Sequence, residues 1–258
     1  MKAVIMAGGF AKRMYPLTEN QPKPMLKVGG RPVIDHVIEK IGKIAGVDEI
    51  LVTTNIKFMD IFSGWMAGVR SEKPVRLIIE SAQTDEQKLG SIGALNMLVK
   101  NENIVDDMLV VAGDNIFTFD LNPFIGVCKD SDNIWIGIYD VRDVEQAKKL
   151  GVVKIKENKI TGFWEKPQNP ATTLASTGIY FYPRKTFGLI SEYISNGNNP
   201  DAPGFFLQWL HKKEDVFGFV FNRPSDRWFD IGSFEALQEA NKQFGAGKAD
   251  VEIGKTRV

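Results

Sequence analysis

Short apolar runs recur along the first half of the chain, and stretches with helical periodicity separate them. Four runs of aliphatic residues, at 3–6, 49–54, 75–79 and 107–112, predict buried strands. Apolar residues between 33 and 44 recur every three or four positions, which predicts an amphipathic helix. Apolar strands that alternate with helices are typical of a largely parallel sheet with its ligand site at the carboxyl ends of the strands.

The second half changes character, because strand-like runs follow one another at short intervals. The predicted strands there cover 133–139, 151–155, 159–164, 178–182, 216–221 and a short piece at 228–231. Helices are predicted at 56–66, 88–99, 184–195, 203–212 and 233–244. We expect one Rossmann-like α/β domain: a mixed, mostly parallel sheet flanked by helices, with a small β-rich part. The domain would span residues 1–244, in halves 1–130 and 131–244, before a short tail at 245–258.

Composition narrows the class of protein without identifying it. Hydrophobic residues make up 43% and charged residues 25% of the 258 positions, which is ordinary for a globular protein. Lys plus Arg and Asp plus Glu both number 32, so neither nucleic acid nor a membrane is expected as a partner. The single cysteine, Cys128, lies in an apolar helix-like run and is interpreted as a packing residue rather than a catalytic thiol.

Three further features bear on the location of the protein. A lone cysteine cannot form an internal disulfide, which favours a reducing compartment. The apolar run at the N-terminus is too short for a signal peptide, and no run of about 18 apolar residues predicts a membrane span. We therefore expect a cytoplasmic protein.

Two glycines follow the first strand directly, and basic residues come next. Gly8 and Gly9 let a ligand approach the backbone, and bare N–H groups beside Lys12 and Arg13 favour an oligophosphate. The spacing is neither the P-loop nor the Gly-x-Gly-x-x-Gly pattern, so a purely structural turn is an equal alternative. Lys23 lies between two prolines, which restrict the backbone as a fixed phosphate cation requires.

Two aspartates are candidate metal ligands. Asp114 follows the strand at 107–112, at the edge where open α/β sheets bind ligands. Mg²⁺ takes one or two carboxylates together with substrate phosphates and water, although a turn-forming aspartate is the common alternative. Asp230 lies among aromatic and aliphatic neighbours, where a charge usually has a partner or a metal.

Glu165 and Lys166 end another predicted strand. Exposed Glu–Lys pairs are usually solvated surface. The flanking Trp164 and Pro167 indicate a fixed position instead, so Glu165 could bind a polyol and Lys166 a phosphate.

Taken in order, these motifs resemble the sugar-phosphate nucleotidylyltransferases, the family of glucose-1-phosphate thymidylyl- and uridylyltransferases and mannose-1-phosphate guanylyltransferases. The matching motifs are Met-Ala-Gly-Gly-x-x-x-Arg, Pro-Lys-Pro-Met-Leu, Leu-Gly-Ser-Ile-Gly-Ala, Gly-Asp-Asn, Gly-Val-Val, Glu-Lys-Pro, Ser-Thr-Gly-Ile-Tyr and Trp-Phe-Asp-Ile-Gly. The resemblance covers roughly residues 1–244, and the ordered combination is highly specific.

The resemblance implies a Mg²⁺-dependent reaction of an NTP with a sugar 1-phosphate, which gives an NDP-sugar and pyrophosphate. UTP or dTTP with glucose 1-phosphate is favoured, and a GTP-dependent mannose-1-phosphate guanylyltransferase is the alternative. The sugar phosphate oxygen attacks the α-phosphorus in line, so positioning and charge neutralisation supply most of the catalysis. The partners would be these small molecules, and a homo-oligomer is left open.

The resemblance also implies a role for individual residues. Arg13 would hold the β- and γ-phosphates and Lys23 would act near the α-phosphate; these two form the catalytic set with Asp114 and Lys166. The nucleotide would lie against Ala7, Gly8, Gly9, Arg13, Lys23, Glu80, Leu89, Gly90 and Asp114. The sugar phosphate would contact Gly151, Glu165, Lys166 and Thr177, and Asp114 and Asp230 would hold Mg²⁺.

Three departures from the family pattern matter. Many relatives have glycine where Ala11 stands, which predicts a somewhat different loop shape. Residues 80–88 do not match the glutamine-containing stretch of well-known thymidylyltransferases, so the base is left open. The left-handed β-helix of longer relatives is missing, so no acyltransferase activity is expected.

Two other classes compete with this hypothesis. A nucleotide-sugar-dependent glycosyltransferase would not need the triphosphate cradle of Gly8, Gly9, Arg13 and Lys23, and Gly-Asp-Asn lacks its Asp-x-Asp pair. A catalytically inactive regulatory subunit with the same fold should have lost at least one charged site residue, yet all are present. The nucleotidylyltransferase hypothesis therefore ranks first.

Overall fold

The computed structural model of the protein describes residues 1–245. Its strands are β1 (Lys2–Met6), β2 (Lys27–Val28), β3 (Arg31–Pro32), β4 (Glu49–Asn55), β5 (Val75–Glu80), β6 (Met108–Ala112), β7 (Asn115–Phe117), β8 (Ile134–Asp140), β9 (Gly151–Lys156), β10 (Lys159–Glu165), β11 (Leu174–Tyr182), β12 (Val216–Phe221) and β13 (Trp228–Asp230). Its helices are α1 (Val33–Gly42), α2 (Met59–Met66), α3 (Gly90–Asn101), α4 (Asn122–Lys129), α5 (Val144–Ala147), α6 (Thr186–Ser195), α7 (Pro203–Leu210) and α8 (Phe234–Gly245).

Nine strands form one central sheet in the order β5-β4-β1-β6-β11-β8-β12-β10-β9. The first four are parallel to one another, as the βα alternation predicted. Strand β11 runs antiparallel to both β6 and β8, and the β9–β10 hairpin closes the far edge. The predicted mixed α/β sheet flanked by helices is confirmed, with its parallel pairing concentrated in the first half.

Alternate residues of the central strands enter two different cores. Ala3 and Ile5 of β1 pack with α1, α2 and α4 on one face, whereas Val4 packs with α3, α6 and α7 on the other. This period-2 alternation is what a sheet with helices on both faces requires. Each fully buried Ile, Leu or Phe in these cores stabilises the fold by about 1.5–3 kcal/mol. Cys128 is fully buried in α4 within the first core, as predicted.

A third, smaller core lies beside the β7–β13 ribbon. Strand β13 pairs with β7, and both pack with α8 and the short β2–β3 ribbon through residues such as Met14, Ile116 and Ile231. Ser233 precedes α8, and its Oγ accepts a hydrogen bond from the backbone N–H of Ala236 at 3.2 Å. Ser233 therefore caps α8.

The remaining fold predictions have three outcomes. The predicted division into halves at residue 130 stays a prediction, although the central sheet contains strands from both halves. Except for Gly245, the predicted tail lies outside the described residues. Within residues 1–245 no helix combines the length and the apolar character that crossing a bilayer requires.

Candidate active site

A cleft of about 540 Å³ opens at the carboxyl ends of β1, β5 and β6 and extends to β10 and β11. Most of the residues predicted from the sequence line it. They are Ala7, Gly8, Gly9, Arg13, Lys23, Glu80, Gly90, Asp114, Gly151, Glu165, Lys166 and Asp230. The parallel strands bring together residues that are far apart in the chain, as the position of the site at the strand ends predicted.

The glycine turn after β1 is held against β4 by two hydrogen bonds. The Ala7 N–H donates to Thr53 O at 2.9 Å, and Asn55 Nδ2 donates to Gly8 O at 3.0 Å. A Cβ on Gly8 would lie 3.1 Å from Glu80 Oε1, whereas one on Gly9 would meet nothing within 4 Å. Gly8 is thus constrained by its neighbour, and Gly9 presents open backbone to the cleft.

Ala11 adopts the left-handed conformation, with φ of 53° and ψ of 37°. It precedes a single 3-10 turn, Lys12–Met14, that carries Arg13 to the mouth of the cleft. The Thr18 hydroxyl donates to Ala11 O at 2.8 Å and fixes the turn. A residue other than glycine in this conformation is strained by roughly 1–2 kcal/mol. The loop therefore has a glycine-like backbone here in spite of the Cβ.

Lys23 and two aspartates form the charged centre of the cleft. The Lys23 Nζ donates to Asp114 Oδ2 at 3.0 Å. Burial acts to lower the pKa of Lys23, but the Asp114 and Asp230 carboxylates outweigh it and raise that pKa. Burial first, and then repulsion by Asp114, raise the pKa of Asp230 to about 6. Lys23 therefore stays charged between two carboxylates that repel each other.

This arrangement fits a divalent cation. Asn115 pairs with Asp230 across the β7–β13 ribbon, and the Ile231 N–H donates to Asp114 O at 3.1 Å, so the strand register places the two aspartates side by side. Mg²⁺ needs few protein carboxylates because substrate phosphates and water complete its shell. Within residues 1–245 no group of three or more His, Cys, Asp or Glu is placed to hold a metal ion.

Glu80 ends β5 at the edge of the cleft and is 4% exposed. Burial raises its pKa to about 7, because the carboxylate loses its contact with water. Its side chain lines the cleft beside Gly8.

The opposite side of the cleft is built on the β9–β10 hairpin. Gly151 lies opposite Glu165 in the register of the two strands, and Lys166 Nζ lies 3.2 Å from Glu165 Oε1. The Lys166 N–H donates to Leu150 O at 3.0 Å, and Lys166 has a φ of 48°. The hairpin thus holds the acid and the base at the edge of the cleft, as the fixed position of the pair predicted.

Two predicted residues do not bring their side chains to the cleft. The Thr177 side chain is fully buried, and its hydroxyl donates to Gly137 O at 3.0 Å. Its carbonyl accepts bonds from Asn115 and Trp228 instead. Leu89 is 38% exposed and lies outside the cleft lining, between Lys88 and Gly90, which do line it. The neighbours Ser176 and Tyr180 line the cleft where Thr177 was expected.

Ser176 and Tyr180 were not predicted from the sequence, although the alternation of core-facing and cleft-facing residues along β11 indicates them. Ala175 and Ile179 are apolar and buried, so Thr177, at the same parity, faces the core with them. Ser176, Gly178 and Tyr180 occupy the opposite face, toward the cleft.

Ion pairs that sequence reasoning did not anticipate connect the loops around the mouth of the cleft. Lys12 Nζ lies 3.1 Å from Glu86 Oε1 and 3.3 Å from Asp85 Oδ2. Lys88 Nζ lies 3.1 Å from Asp85 Oδ1 and 2.7 Å from Asp201 Oδ1. These exposed pairs contribute little stability each, but they join the glycine turn to the segment before α7.

Comparison with known proteins agrees with this geometry. A family model described as nucleotidyl transferase matches residues 2–246. The chain belongs to this family of nucleotidyl transferases.

Two of the curated relatives have different names and similar degrees of identity to this chain. The bifunctional protein GlmU of Methanocaldococcus jannaschii is 31% identical over 246 residues, which cover 94% of this chain and 54% of that protein. A glucose-1-phosphate adenylyltransferase of Geobacter metallireducens is 28% identical over 273 residues, covering 93% of this chain and 65% of that protein. The chain thus spans between about half and two thirds of these curated relatives.

Solved structures share the fold over nearly the full length. A structure assigned to a glucose-1-phosphate thymidylyltransferase of Bacillus anthracis, in complex with sucrose, is 26% identical with a TM-score of 0.82 and covers 97% of this chain and 98% of that chain. A UDP-glucose pyrophosphorylase in complex with UDP-glucose is 19% identical with a TM-score of 0.78 and covers 96% of this chain and 99% of that chain. The second likeness concerns the fold alone.

Proposed function

We propose that the protein transfers a nucleotidyl group from an NTP to a sugar 1-phosphate and releases pyrophosphate. The observation that carries the proposal is one cleft that joins the Lys23–Asp114–Asp230 cluster to the glycine turn on one side and to Glu165 and Lys166 on the other. Family membership supports the reaction class.

Each group in the cleft has a task in this reaction. Arg13 binds the β- and γ-phosphates, and the open backbone at Gly9 lies against the nucleotide. Lys23 stays charged and neutralises the α-phosphate as the sugar phosphate oxygen attacks it. Glu165 accepts hydrogen bonds from sugar hydroxyls, and Lys166 holds the sugar phosphate in line for attack.

In this proposal Gly151 and Ser176 lie near the sugar, and Thr177 acts through its carbonyl, which holds Asn115 and Trp228. Leu89 contributes by placing Gly90 and the start of α3.

Asp114 and Asp230 would hold Mg²⁺, which supplies charge neutralisation for the phosphates when bound. Without it, the same two carboxylates would repel a triphosphate. The cation is therefore part of the proposal, as are the cytoplasmic location and the absence of nucleic-acid and membrane partners. The oligomeric state stays open.

The favoured nucleotide is UTP or dTTP, with glucose 1-phosphate as the sugar, and the resemblance to thymidylyl- and uridylyltransferases supports this choice. A neutral Glu80 carboxyl group offers one donor and one acceptor, which complement O4 and N3–H of a uracil or thymine ring. With a pKa of about 7, the neutral form is populated near neutral pH.

Glu80 also supports a second candidate, a GTP-dependent enzyme with mannose 1-phosphate. An ionised carboxylate has acceptors only, and guanine presents two adjacent donors, N1–H and the 2-amino group. The two candidates therefore need opposite protonation states of the same buried side chain.

The direct test is incubation of the protein with each NTP, a panel of sugar 1-phosphates and Mg²⁺, with pyrophosphate release as the readout. Release with one pair well above the others is expected. No release with any pair would overturn the enzyme proposal.

Substitution of Glu80 by glutamine separates the two nucleotide candidates. The glutamine amide would offer a donor and an acceptor at every pH. A pyrimidine enzyme should keep its activity in Glu80→Gln and lose the rise in KM for the NTP above pH 7. A guanosine enzyme should instead lose most of its kcat/KM for GTP, and its wild-type KM should fall as the pH rises.

Two variants test the phosphate centre. Lys23→Ala should lower kcat by about 10²–10³-fold at saturating substrate, because it removes a fixed charge at the reacting phosphate. Asp114→Asn should remove turnover and keep the fold. Lys100→Ala and Asp106→Asn, at exposed positions outside the cleft, are the controls. Near-full activity of either cleft variant would contradict the role given to that residue.

A further inference from the structure

The Glu165 carboxylate lies between two glycines on different elements. A Cβ on Gly151 of β9 would lie 3.0 Å from Glu165 Oε2. A Cβ on Gly204, the second residue of α7, would lie 1.8 Å from the same oxygen and 2.6 Å from Glu165 Cδ. The second contact is far inside van der Waals distance, so any residue other than glycine at 204 would occupy the place of the carboxylate.

Helix α7 also contacts the backbone of Glu165. The Gln208 side chain lies one turn after Gly204 and accepts a hydrogen bond from the Glu165 N–H at 3.4 Å. The partial positive charge at the N-terminus of the helix favours a carboxylate beside Gly204. Both the main chain and the side chain of Glu165 are therefore held by one face of α7.

The helix itself cannot easily move away to admit a side chain. Phe206, Leu207 and Leu210 are 0–1% exposed and pack into the second core. Native cores are close-packed, so a shift of α7 would disturb many contacts at once. The cheaper response to a Cβ on Gly204 is a rotation of the Glu165 side chain out of its place.

We propose that Gly204 is a positioning residue that sets the affinity of the enzyme for its sugar 1-phosphate, acting through Glu165. The inference rests on the proposed sugar-binding role of Glu165. Because Gly204 has no side chain, the Glu165 carboxylate can lie against α7 and point toward the sugar hydroxyls. The three atoms nearest to a Cβ on Gly204 all belong to Glu165, so the residues proposed to bind the nucleotide should be unaffected.

Gly204→Ala tests this inference, with Gly126→Ala as the matched control. Gly126 lies in α4, a helix of the same length, and a Cβ there would meet nothing within 4 Å. In Gly204→Ala we expect kcat/KM for the sugar 1-phosphate to fall by about 10–100-fold through KM, because a displacement near 1 Å has effects of this size. KM for the NTP should stay within twofold of the wild type, and Gly126→Ala should match the wild type in both. A sugar KM within twofold of the wild type in a folded Gly204→Ala would overturn the inference.

A double-mutant cycle separates positioning from a general structural role. If Gly204 acts through Glu165, Gly204→Ala should have no further effect in a Glu165→Ala background. Additive losses would overturn the inference. If Glu165→Ala itself leaves the sugar KM unchanged, the role proposed for Glu165 fails, and with it the inference.

A crystal structure of Gly204→Ala gives a readout without turnover. The Glu165 carboxylate should be displaced from its contact with α7. An unmoved carboxylate would overturn the inference, whether or not the proposed reaction is correct. If Gly204→Ala does not fold, Gln208→Ala should raise the sugar KM in the same direction, and an unchanged KM there would count against the inference.

Discussion

Replacing Glu80 by glutamine should stabilise the nucleotide-free protein, and the gain should grow with pH. Burial raises the pKa of Glu80 from its ordinary value of 4.5 to about 7. Ionising this carboxyl group in the folded protein therefore costs about 3 kcal/mol more than in the unfolded chain. The folded pKa lies above the unfolded one, so the penalty is small below pH 4.5, grows between pH 4.5 and 7, and is complete above pH 7.

The glutamine variant never carries this charge. At pH 8 it should be more stable than the wild type by up to about 3 kcal/mol, which corresponds to a rise in Tm of about 6–12 °C for a chain of this size. At pH 4.5 the two should differ by well under about 1 kcal/mol.

Thermal unfolding at pH 4.5, 6 and 8, without nucleotide, measures the effect. Glu157→Gln, at an exposed position in the β9–β10 turn, is the control and should show no pH-dependent difference. Equal Tm differences for Glu80→Gln at pH 4.5 and pH 8 would refute the reasoning. That result would mean that Glu80 has a partner that stabilises its charge.

Two further predictions concern backbone conformation. Ala11→Gly should stabilise the protein by about 1 kcal/mol, because glycine adopts the left-handed conformation without strain. The greater entropy of glycine in the unfolded chain offsets only part of this gain. An unchanged Tm would contradict the claim that Ala11 is strained. Gly90→Ala should destabilise it by more than about 2 kcal/mol, because Gly90 has a φ of 73° and a Cβ there would lie 2.4 Å from Pro200 O. Gly64→Ala, in open space on α2, should instead be neutral or stabilising by up to about 1 kcal/mol. Equal Tm values for these two alanine variants would refute the expected clash.

Long elements with a clear period could be predicted from the sequence. Strand β12 spans Val216–Phe221, as predicted, because it is a continuous apolar run bounded by polar residues. Helix α1 begins at Val33, directly after Pro32, where the predicted periodic stretch begins. Short elements escaped prediction: β7 and α5 have three and four residues, too few for a periodic pattern.

In the candidate site, residues with a local sequence signal could be predicted, whereas a residue that depends on a distant contact could not. Residues within motifs, such as Asp114 after β6 and Glu165 at the end of β10, could be singled out because their chemistry and their strand-end positions agree. Gly204 could not, because its importance depends on a contact with Glu165, which lies on a strand much earlier in the chain. Nothing in the local sequence of α7 indicates which strand it packs against.

The segment before α7 has a consequence for how new specificities can arise in this fold. Pro200 O and Asp201 O accept the N–H groups of Ile92 and Ser91 at the start of α3, and Gly204 lies against Glu165 a few residues later. One short stretch of chain therefore borders both of the proposed substrate sites. A chimaera that joins residues 1–130 of this chain to the second half of a relative would exchange this stretch as well. Recombination at residue 130 should thus alter nucleotide and sugar preference together. If residues 200–204 are transferred together with residues 1–130, the two preferences should change separately.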